Sequence, residues 1–204
     1  MKLYWSPASP YARKVRAVAH EKGVADRIEE IAVDAFADPQ ELLATNPLGK
    51  VPALVLDDGT ALYDSPVICA YLDEVFAGGP LMPREGVSRW AVLRAEALAD
   101  GVMDIGLGLT LERRKPETER SPTMATRWRV QLARALDAMA YELPGLPGQV
   151  TLGYIAFACA LGYLDLRHPD VAWREGRPKL TAWYEAFADR PSIASTAPPA
   201  VGNR

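Results

Sequence analysis

Short apolar runs alternate with helical spacing in the first part of this 204-residue chain. In residues 10–22, apolar side chains recur every three or four positions, which is the period of a helix with one buried face. Residues 65–76 repeat this pattern, and residues 39–44 predict a shorter helix. Strands are predicted for four short apolar runs: residues 2–5, 28–33, 53–56 and 60–62. The order βαβα followed by ββα predicts a small mixed sheet covered by helices.

The pattern changes in the second part of the chain. Residues 77–83 contain two glycines and two prolines, which is typical of a linker. Beyond them the strand signals nearly vanish, and the apolar spacing is helical in four segments: residues 88–112, 123–143, 151–167 and 179–188. We therefore predict a mixed α/β domain over residues 1–76, a linker over 77–86 and an all-helical domain over 87–204. Residues 195–204 are predicted to be irregular.

Composition and charge narrow the class of protein. An apolar fraction of 49% and a charged fraction of 24% are ordinary for a globular chain and exclude a collagen-like or disordered one. The net charge of −3 offers no basic excess, so neither nucleic acid nor a membrane surface is expected as a partner. Cys69 and Cys159 fit a reducing compartment and are too few for a zinc site. With no secretion signal and no long apolar run, we expect a cytoplasmic protein without a metal.

Three short motifs in the first domain could carry chemistry. The first begins at Ser9, where a favoured N-cap residue is followed by the proline that favours a first helical position. The second begins at Ser65, which directly follows Asp64 and is again followed by a proline. Each motif either caps its helix or directs helix-terminal N–H groups at an anion or a thiolate. The third motif, Val51-Pro52, enters a strand through a peptide bond that could be cis.

Taken in order, the segments SPASPYARKVR, NPLGKVPALVLDDG and ALYDSPVICAYLDE resemble the N-terminal domain of the cytosolic glutathione transferases. The helices that follow are similar to that family's C-terminal domain, and the likeness extends to about Pro199. The Ser-Pro-Tyr sequence resembles that of bacterial, serine-type members. The resemblance implies an α/β thioredoxin-like N-terminal domain plus an all-α C-terminal domain. It also implies a homodimer whose partners are glutathione, used as co-substrate, and a small hydrophobic electrophile.

The resemblance implies how this chain would hold glutathione. Ser65 would bind the γ-glutamyl carboxylate at a helix N-terminus, and Asp64 would bind the ammonium group. Val51, extended beside a cis Pro52, would pair its backbone with the cysteinyl residue as an added strand does. Lys50 either contacts the glycyl end or is simply solvated.

Ser9, next to Pro10, is the implied catalytic residue. A thiol with a pKa near 8.5 is only about 3% thiolate at pH 7, and lowering that pKa by about two units requires roughly 2.7 kcal/mol. A hydrogen bond from a hydroxyl, together with helix-terminal N–H groups, supplies energy of this order. Ser6 is the rival hydroxyl. We favour Ser9 because its four-residue spacing to Arg13 matches the spacing in serine-type classes.

The second substrate is expected between the two domains, against an apolar wall. By placement alone, the wall consists of Trp5, Tyr11, Leu107 and Leu111. Two other functions remain open beside conjugation of electrophiles. One is a non-catalytic glutathione-binding or protein-interaction member, as in stress-response relatives. The other is glutathione-dependent ether cleavage or peroxidase activity.

Three expectations concern polar positions near helix ends. The family's capping box is incomplete, because Thr151 is present but Tyr154 stands where a carboxylate would complete it. Tyr154→Asp is therefore expected to stabilise the protein by about 0.5–1 kcal/mol. His20 and His168 have no partners at metal or triad spacing and are expected on the surface. Glu112 and the three basic residues after it are expected to form a solvated helix end.

Overall fold

The chain, described over residues 1–199 by a computed structural model, divides into two units. The first comprises Met1–Arg84 together with residues 190–199, and the second comprises Glu85–Asp189. The sequence assigned every residue after 86 to one helical domain, so the grouping of residues 190–199 differs from that assignment. Of the tail predicted to be irregular, residues 200–204 lie outside the described residues.

The strands of the first unit form one mixed sheet, as the apolar runs predicted. They are β1 (Lys2–Trp5), β2 (Glu29–Ala32), β3 (Ala53–Val55) and β4 (Ala61–Leu62). Within the described residues the order is β2-β1-β3-β4, with β1 parallel to β2 and the other pairs antiparallel. On one face of the sheet, Tyr4 is buried with Leu42 and Ala53.

Three helices accompany this sheet. They are α1 (Pro10–Glu21), α2 (Gln40–Thr45) and α3 (Ser65–Val75). Helix α1 packs against α3, and both helices contain fully buried apolar residues, among them Val15, Val18, Ile68 and Leu72. The apolar period of residues 10–22 therefore marks the core-facing side of α1 correctly.

A buried ion pair holds the segment after α3 on the first unit. The Lys22 ammonium lies 3.0 Å from Asp73 Oδ1, and both side chains are shielded from solvent. The same carboxylate accepts backbone hydrogen bonds from Leu81 at 2.8 Å and Met82 at 2.9 Å. Both carboxylate oxygens therefore have hydrogen-bond partners. Because two of these partners are backbone groups of Leu81 and Met82, this part of the predicted linker is bound to the first unit.

The second unit is helical. Its longer helices are α4 (Gly86–Arg114), α5 (Pro122–Glu142), α6 (Leu152–Arg167) and α7 (Pro178–Ala188). Helix α6 is buried over most of its length and packs mainly against α4. Such all-round burial explains why its sequence is apolar without a polar face. None of the helices within residues 1–199 combines the length and the apolar character that a membrane span requires.

The start of α6 is stabilised by a cap and by aromatic packing. Thr151 Oγ1 accepts a hydrogen bond from the Tyr154 backbone at 3.4 Å, as the half-complete capping box predicted. The Tyr154 ring stacks on Trp183 with ring centroids 5.5 Å apart and lies 5.9 Å from Phe187. Tyr154 is therefore a packing residue, and its replacement by Asp would remove these contacts.

Two polar residues of this unit, His168 and Glu112, are buried rather than on the surface as expected. The three basic residues after Glu112 are exposed as expected, and so is His20 of the first unit. His168 is 1% exposed, and its Nε2 lies 2.8 Å from the Gly106 carbonyl. Glu112 is also buried, because its carboxylate binds the Ser121 backbone N–H and the Lys115 ammonium. Both side chains lie near helix ends, as the sequence indicated. His168 is enclosed by residues far earlier in the chain, on α4, and Glu112 by residues that follow it closely.

A short final helix, α8 (Pro191–Ala194), explains the grouping of the last described residues with the first unit. The Arg190 guanidinium donates from Nε and Nη2 to the Glu21 carboxylate of α1, at 2.6 and 2.7 Å, and the Ser192 hydroxyl donates to the same carboxylate. Burial alone would raise the pKa of Glu21, but hydrogen bonds from Arg190 and Ser192 outweigh burial and lower it.

Candidate functional site

The loop between β1 and α1 carries both candidate catalytic hydroxyls. Ser9 is the N-cap of α1, and its Oγ accepts a hydrogen bond from the Ala12 backbone at 3.2 Å. The Ser9 backbone N–H donates to the Ser6 carbonyl at 3.1 Å, so the two serines lie in one tight turn. Capping uses a lone pair of the Ser9 oxygen and leaves its hydrogen available. Ser9 can therefore cap the helix and donate to a ligand at the same time.

Arg13 follows Ser9 by one helical turn. Its backbone N–H donates to the Ser9 carbonyl at 3.0 Å, and its side chain is buried. Guanidinium Nη2 donates to the Ile193 carbonyl at 3.1 Å, while Nε has no hydrogen-bond partner among residues 1–199. Arg13, which the sequence analysis singled out by its spacing from Ser9, thus connects α1 with α8.

The segment that enters β3 is set by one buried asparagine. The Val51–Pro52 peptide bond is cis, and Val51 itself is half-buried. Asn46 donates from Nδ2 to the Lys50 carbonyl at 2.8 Å and accepts from the Leu48 backbone at 3.0 Å. The sequence patterns did not predict this role for Asn46. The Asn-Pro-Leu-Gly turn could have indicated this role, because an asparagine side chain often forms hydrogen bonds with the backbone of its own turn.

The N-terminus of α3 lies one residue earlier than expected. Asp64, rather than Ser65, occupies the N-cap position, and its side chain makes no capping hydrogen bond. Ser65 is the first helical residue, is 1% exposed, and is followed by Pro66. The first backbone N–H groups of a helix lack partners within that helix, so the N–H of Ser65 is available to an acceptor. The exposed Asp64 carboxylate is at the same helix end.

The residues predicted to meet the second substrate belong to both units. Trp5 and Tyr11 are partly buried in the first unit. The Trp5 ring lies 4.1 Å from the Arg16 guanidinium, and its buried Nε1 has no hydrogen-bond partner among residues 1–199. Leu107 and Leu111 lie one turn apart on α4 of the second unit, with Leu111 36% exposed. The wall that these four residues would form stays a prediction.

Metal ligation is not indicated by the described part of the chain. Within residues 1–199, no three His, Cys, Asp or Glu side chains come close enough together to hold an ion. Both cysteines, Cys69 and Cys159, are buried and outside any disulfide bond of the described residues.

The first unit therefore places a capping serine, a cis-proline strand entry and an open helix N-terminus on a mixed four-stranded sheet, and a helical unit follows it. This arrangement defines a class of thioredoxin-like proteins with an appended all-α domain. Residues 8–75 match the family model described as "Glutathione S-transferase, N-terminal domain". Residues 111–186 match the corresponding C-terminal domain. The chain belongs to the glutathione S-transferase superfamily.

Relatives and a solved structure agree with this assignment. The uncharacterized GST-like protein YibF of Escherichia coli (strain K12) is 36% identical over 203 residues, which cover 98% of this chain and 99% of YibF. A glutathione transferase family member from Pseudomonas fluorescens Pf-5, with bound glutathione, is 41% identical with a TM-score of 0.91. That comparison covers 97% of this chain and 98% of the other.

A third relative matches only part of the chain. The stringent starvation protein A homolog of Histophilus somni is 40% identical over 100 residues, or 47% of this chain and 46% of that protein. The two domain models and the two full-length matches confirm the family and the predicted fold class, thioredoxin-like plus all-α.

Proposed function

We propose that this chain is a serine-type glutathione transferase that activates the glutathione thiol with Ser9. The position of Ser9 carries the proposal. Its hydroxyl caps α1 and keeps a hydrogen to donate, so one residue can preserve the helix and stabilise a thiolate beside the helix N-terminus. Ser6, in the same turn, remains the rival.

The remaining polar groups of the first unit fit the other parts of glutathione. Ser65 would bind the γ-glutamyl carboxylate through its backbone N–H and hydroxyl, and the exposed Asp64 carboxylate would bind the ammonium group. Val51 would pair its backbone with the cysteinyl residue, next to the cis Pro52. Lys50 is exposed and would reach the glycyl carboxylate. The glutathione bound to the Pseudomonas fluorescens relative supports this assignment.

The proposed reaction needs no general base. The bound thiol loses its proton to solvent, because the hydroxyl of Ser9 and nearby N–H groups stabilise the thiolate. The sulfur then forms a bond to the electrophilic carbon, and the leaving group departs with its electron pair. Binding both reactants together supplies the rest of the rate increase. Trp5, Tyr11, Leu107 and Leu111 would contact the hydrophobic electrophile.

The first test compares two serine-to-alanine variants that each remove a helix N-cap. Ser9→Ala is expected to raise the pKa of bound glutathione thiol and to reduce turnover of an aryl halide by about 10- to 100-fold. The matched control is Ser121→Ala, which removes the cap of α5, where Ser121 Oγ accepts from Met124 at 3.3 Å. Thiolate absorbance against pH and steady-state rates are the readouts. Equal effects of the two variants, or loss only in Ser6→Ala, would contradict the role of Ser9.

A non-catalytic, stress-response role is the second candidate, favoured by the match to the stringent starvation protein A homolog. Glutathione-affinity retention followed by a turnover assay separates the candidates. Retention without turnover of aryl halide, peroxide or aryl ether indicates a binding protein. Turnover of peroxide or ether alone indicates one of the other glutathione-dependent reactions.

A further inference from the structure

Asn46 is a buried amide that is bonded to the segment proposed to hold the cysteinyl part of glutathione. The residue is 1% exposed and ends α2, where its backbone N–H donates to the Leu42 carbonyl at 2.7 Å. A proline disfavours the helical conformation for the residue before it, and Asn46, which precedes Pro47, is extended with φ −132° and ψ 106°. The helix therefore ends at a residue whose side chain is free to bond the turn that follows.

The turn after Asn46 brings the chain back to the Asn46 side chain. The Gly49 backbone N–H donates to the Asn46 carbonyl at 2.9 Å, and Gly49 has a φ of +62°, a conformation that favours glycine. The Asn46 side chain bonds the turn twice, because Oδ1 accepts from the Leu48 N–H at 3.0 Å and Nδ2 donates to the Lys50 carbonyl at 2.8 Å. Since an N–H can only donate and a carbonyl can only accept, one orientation of the amide satisfies both contacts.

The contact with the Lys50 carbonyl also orients the next backbone donor. The peptide bond between Lys50 and Val51 is trans, and a trans peptide unit is a rigid plane whose C=O and N–H groups point in opposite directions. Holding the Lys50 carbonyl on Asn46 Nδ2 therefore directs the Val51 N–H away from Asn46. The Val51 side chain packs against the buried cluster that contains Tyr4, so packing fixes the position of the residue whose N–H is oriented in this way.

The backbone groups of Val51 are unused by the protein itself. Among the described residues 1–199, neither the N–H nor the carbonyl of Val51 makes a hydrogen bond with another backbone group. A free donor and a free acceptor on one residue beside a sheet are what an added strand pairs with. The cysteinyl residue of glutathione carries the complementary groups, a carbonyl that accepts and an N–H that donates.

We propose that Asn46 is a positioning residue of the glutathione site: by holding the Lys50 carbonyl, it directs the Val51 N–H at the cysteinyl carbonyl of glutathione. This inference rests on the glutathione-binding part of the proposed function and requires neither Ser9 nor turnover. It implies a selection among thiols. A thiol that carries a carbonyl group on its α-carbon, as a cysteinyl peptide does, gives the Val51 N–H a partner. A thiol built on cysteamine leaves that donor unpaired and binds more weakly.

Two fragments of glutathione that differ by one group test this hydrogen bond on the full chain. γ-Glutamylcysteinamide has the cysteinyl carbonyl, and γ-glutamylcysteamine lacks it. Both fragments keep the γ-glutamyl group, the amide N–H and the thiol. Calorimetric titration of each fragment gives the two dissociation constants. We expect the parent protein to bind γ-glutamylcysteinamide roughly three- to tenfold more tightly, which is the effect of one hydrogen bond.

Two substitutions of Asn46 test whether this residue is the cause of the preference. Asn46→Asp removes the donor to the Lys50 carbonyl and keeps an acceptor for the Leu48 N–H. Asn46→Ala removes both contacts without adding a charge. In both variants the preference for γ-glutamylcysteinamide is expected to fall below about twofold, because the plane that contains the Val51 N–H is no longer held.

Asp73→Asn is the matched control. Asp73 is another shielded side chain of the first unit that bonds backbone groups, those of Leu81 and Met82. Its substitution is expected to lower stability, as the Asn46 substitutions do, but to keep the parent's preference between the two fragments. Circular dichroism confirms that each variant is folded at the titration temperature. A preference that is lost equally in Asp73→Asn would indicate a general loosening of the unit and would overturn the inference.

NMR of the parent protein tests the same hydrogen bond without a substitution. The amide proton resonance of Val51 is expected to shift further with γ-glutamylcysteinamide than with γ-glutamylcysteamine. Equal shifts, or an unchanged preference in the folded Asn46 variants, would overturn the role of Asn46 and leave glutathione binding itself intact. A parent protein that binds neither glutathione nor the fragments at millimolar concentration would contradict the proposed function, and this inference with it.

Discussion

Ser9 shows how one side chain can serve structure and chemistry together. Its oxygen accepts from the Ala12 backbone, which satisfies a donor at the start of α1. The Ser-Pro order made this cap predictable from the sequence, because capping depends on residues within one turn. Which hydroxyl would meet the thiol is a different question, since Ser6 lies in the same turn. The comparison of Ser9→Ala with the capping control therefore separates loss of the cap from loss of thiolate stabilisation.

Tyr154→Asp is expected to destabilise the protein, contrary to the expectation from the capping box alone. The substitution could complete the capping box for about 0.5–1 kcal/mol, but it would remove a ring that stacks on Trp183 and also contacts Phe187. Loss of a packed aromatic side chain costs about 3–5 kcal/mol, so a net loss of about 2–4 kcal/mol is expected. Urea denaturation monitored by circular dichroism measures this.

Tyr154→Phe is the control for this prediction. It keeps the ring and removes only the long hydroxyl contact with the Leu146 carbonyl, 3.5 Å away. Its stability should stay within about 1 kcal/mol of the parent protein. A Tyr154→Asp protein as stable as the parent would contradict the packing argument.

At the scale of elements, the contact between α1 and α8 joins distant parts of the chain. Glu21 and Arg190 are separated by 169 residues, yet the guanidinium binds the carboxylate with two nitrogens. Local sequence patterns contain no information on such a pair, which is why residues 190–199 were assigned to the helical domain. The short helix α8 has only four residues and depends on these contacts rather than on its own propensity.

Glu21→Gln is expected to reduce stability near neutral pH by about 1–2 kcal/mol, because it removes a partly buried, bidentate charge pair. The pKa of Glu21 is lowered in the folded protein, so the charged form stabilises the fold above the unfolded-state pKa. That contribution is lost as pH falls through the lower folded-state pKa. The difference between parent and variant should therefore shrink in acid, as measured by urea denaturation at several pH values.

Glu29→Gln provides the matched control. Its partner Lys2 is 3.9 Å away, and both side chains are more than half exposed. An exposed pair of this kind contributes little, so the variant should be nearly as stable as the parent at every pH. An equal loss in the two variants, or a Glu21→Gln effect that grows in acid, would contradict the role given to the pair.

At the scale of the whole molecule, the expected assembly is a homodimer, as the family resemblance implies. Val87 and Trp90 lie one turn apart on α4 and are 86% and 69% exposed, which is unusual for large apolar side chains. Analytical ultracentrifugation is expected to give twice the 22.3-kDa chain mass. Trp90→Ser should shift the equilibrium toward the monomer, while Val130→Ser on α5, also exposed, serves as control. A parent protein that sediments at the chain mass would contradict the homodimer.

The sequence by itself determined the order of the elements, the caps at Ser9 and Thr151, and the three motifs of the first unit. These depend on neighbours within about four residues, so they are visible in local patterns. Only the tertiary structure decided that His168 and Glu112 are buried, that Tyr154 packs against α7, and that residues 190–199 join the first unit. Apart from Glu112, whose partners lie three and nine residues away, each of these outcomes requires contact between residues far apart in the chain. The burial of a polar group depends on which distant residues enclose it, so a helix-end position alone could not predict it.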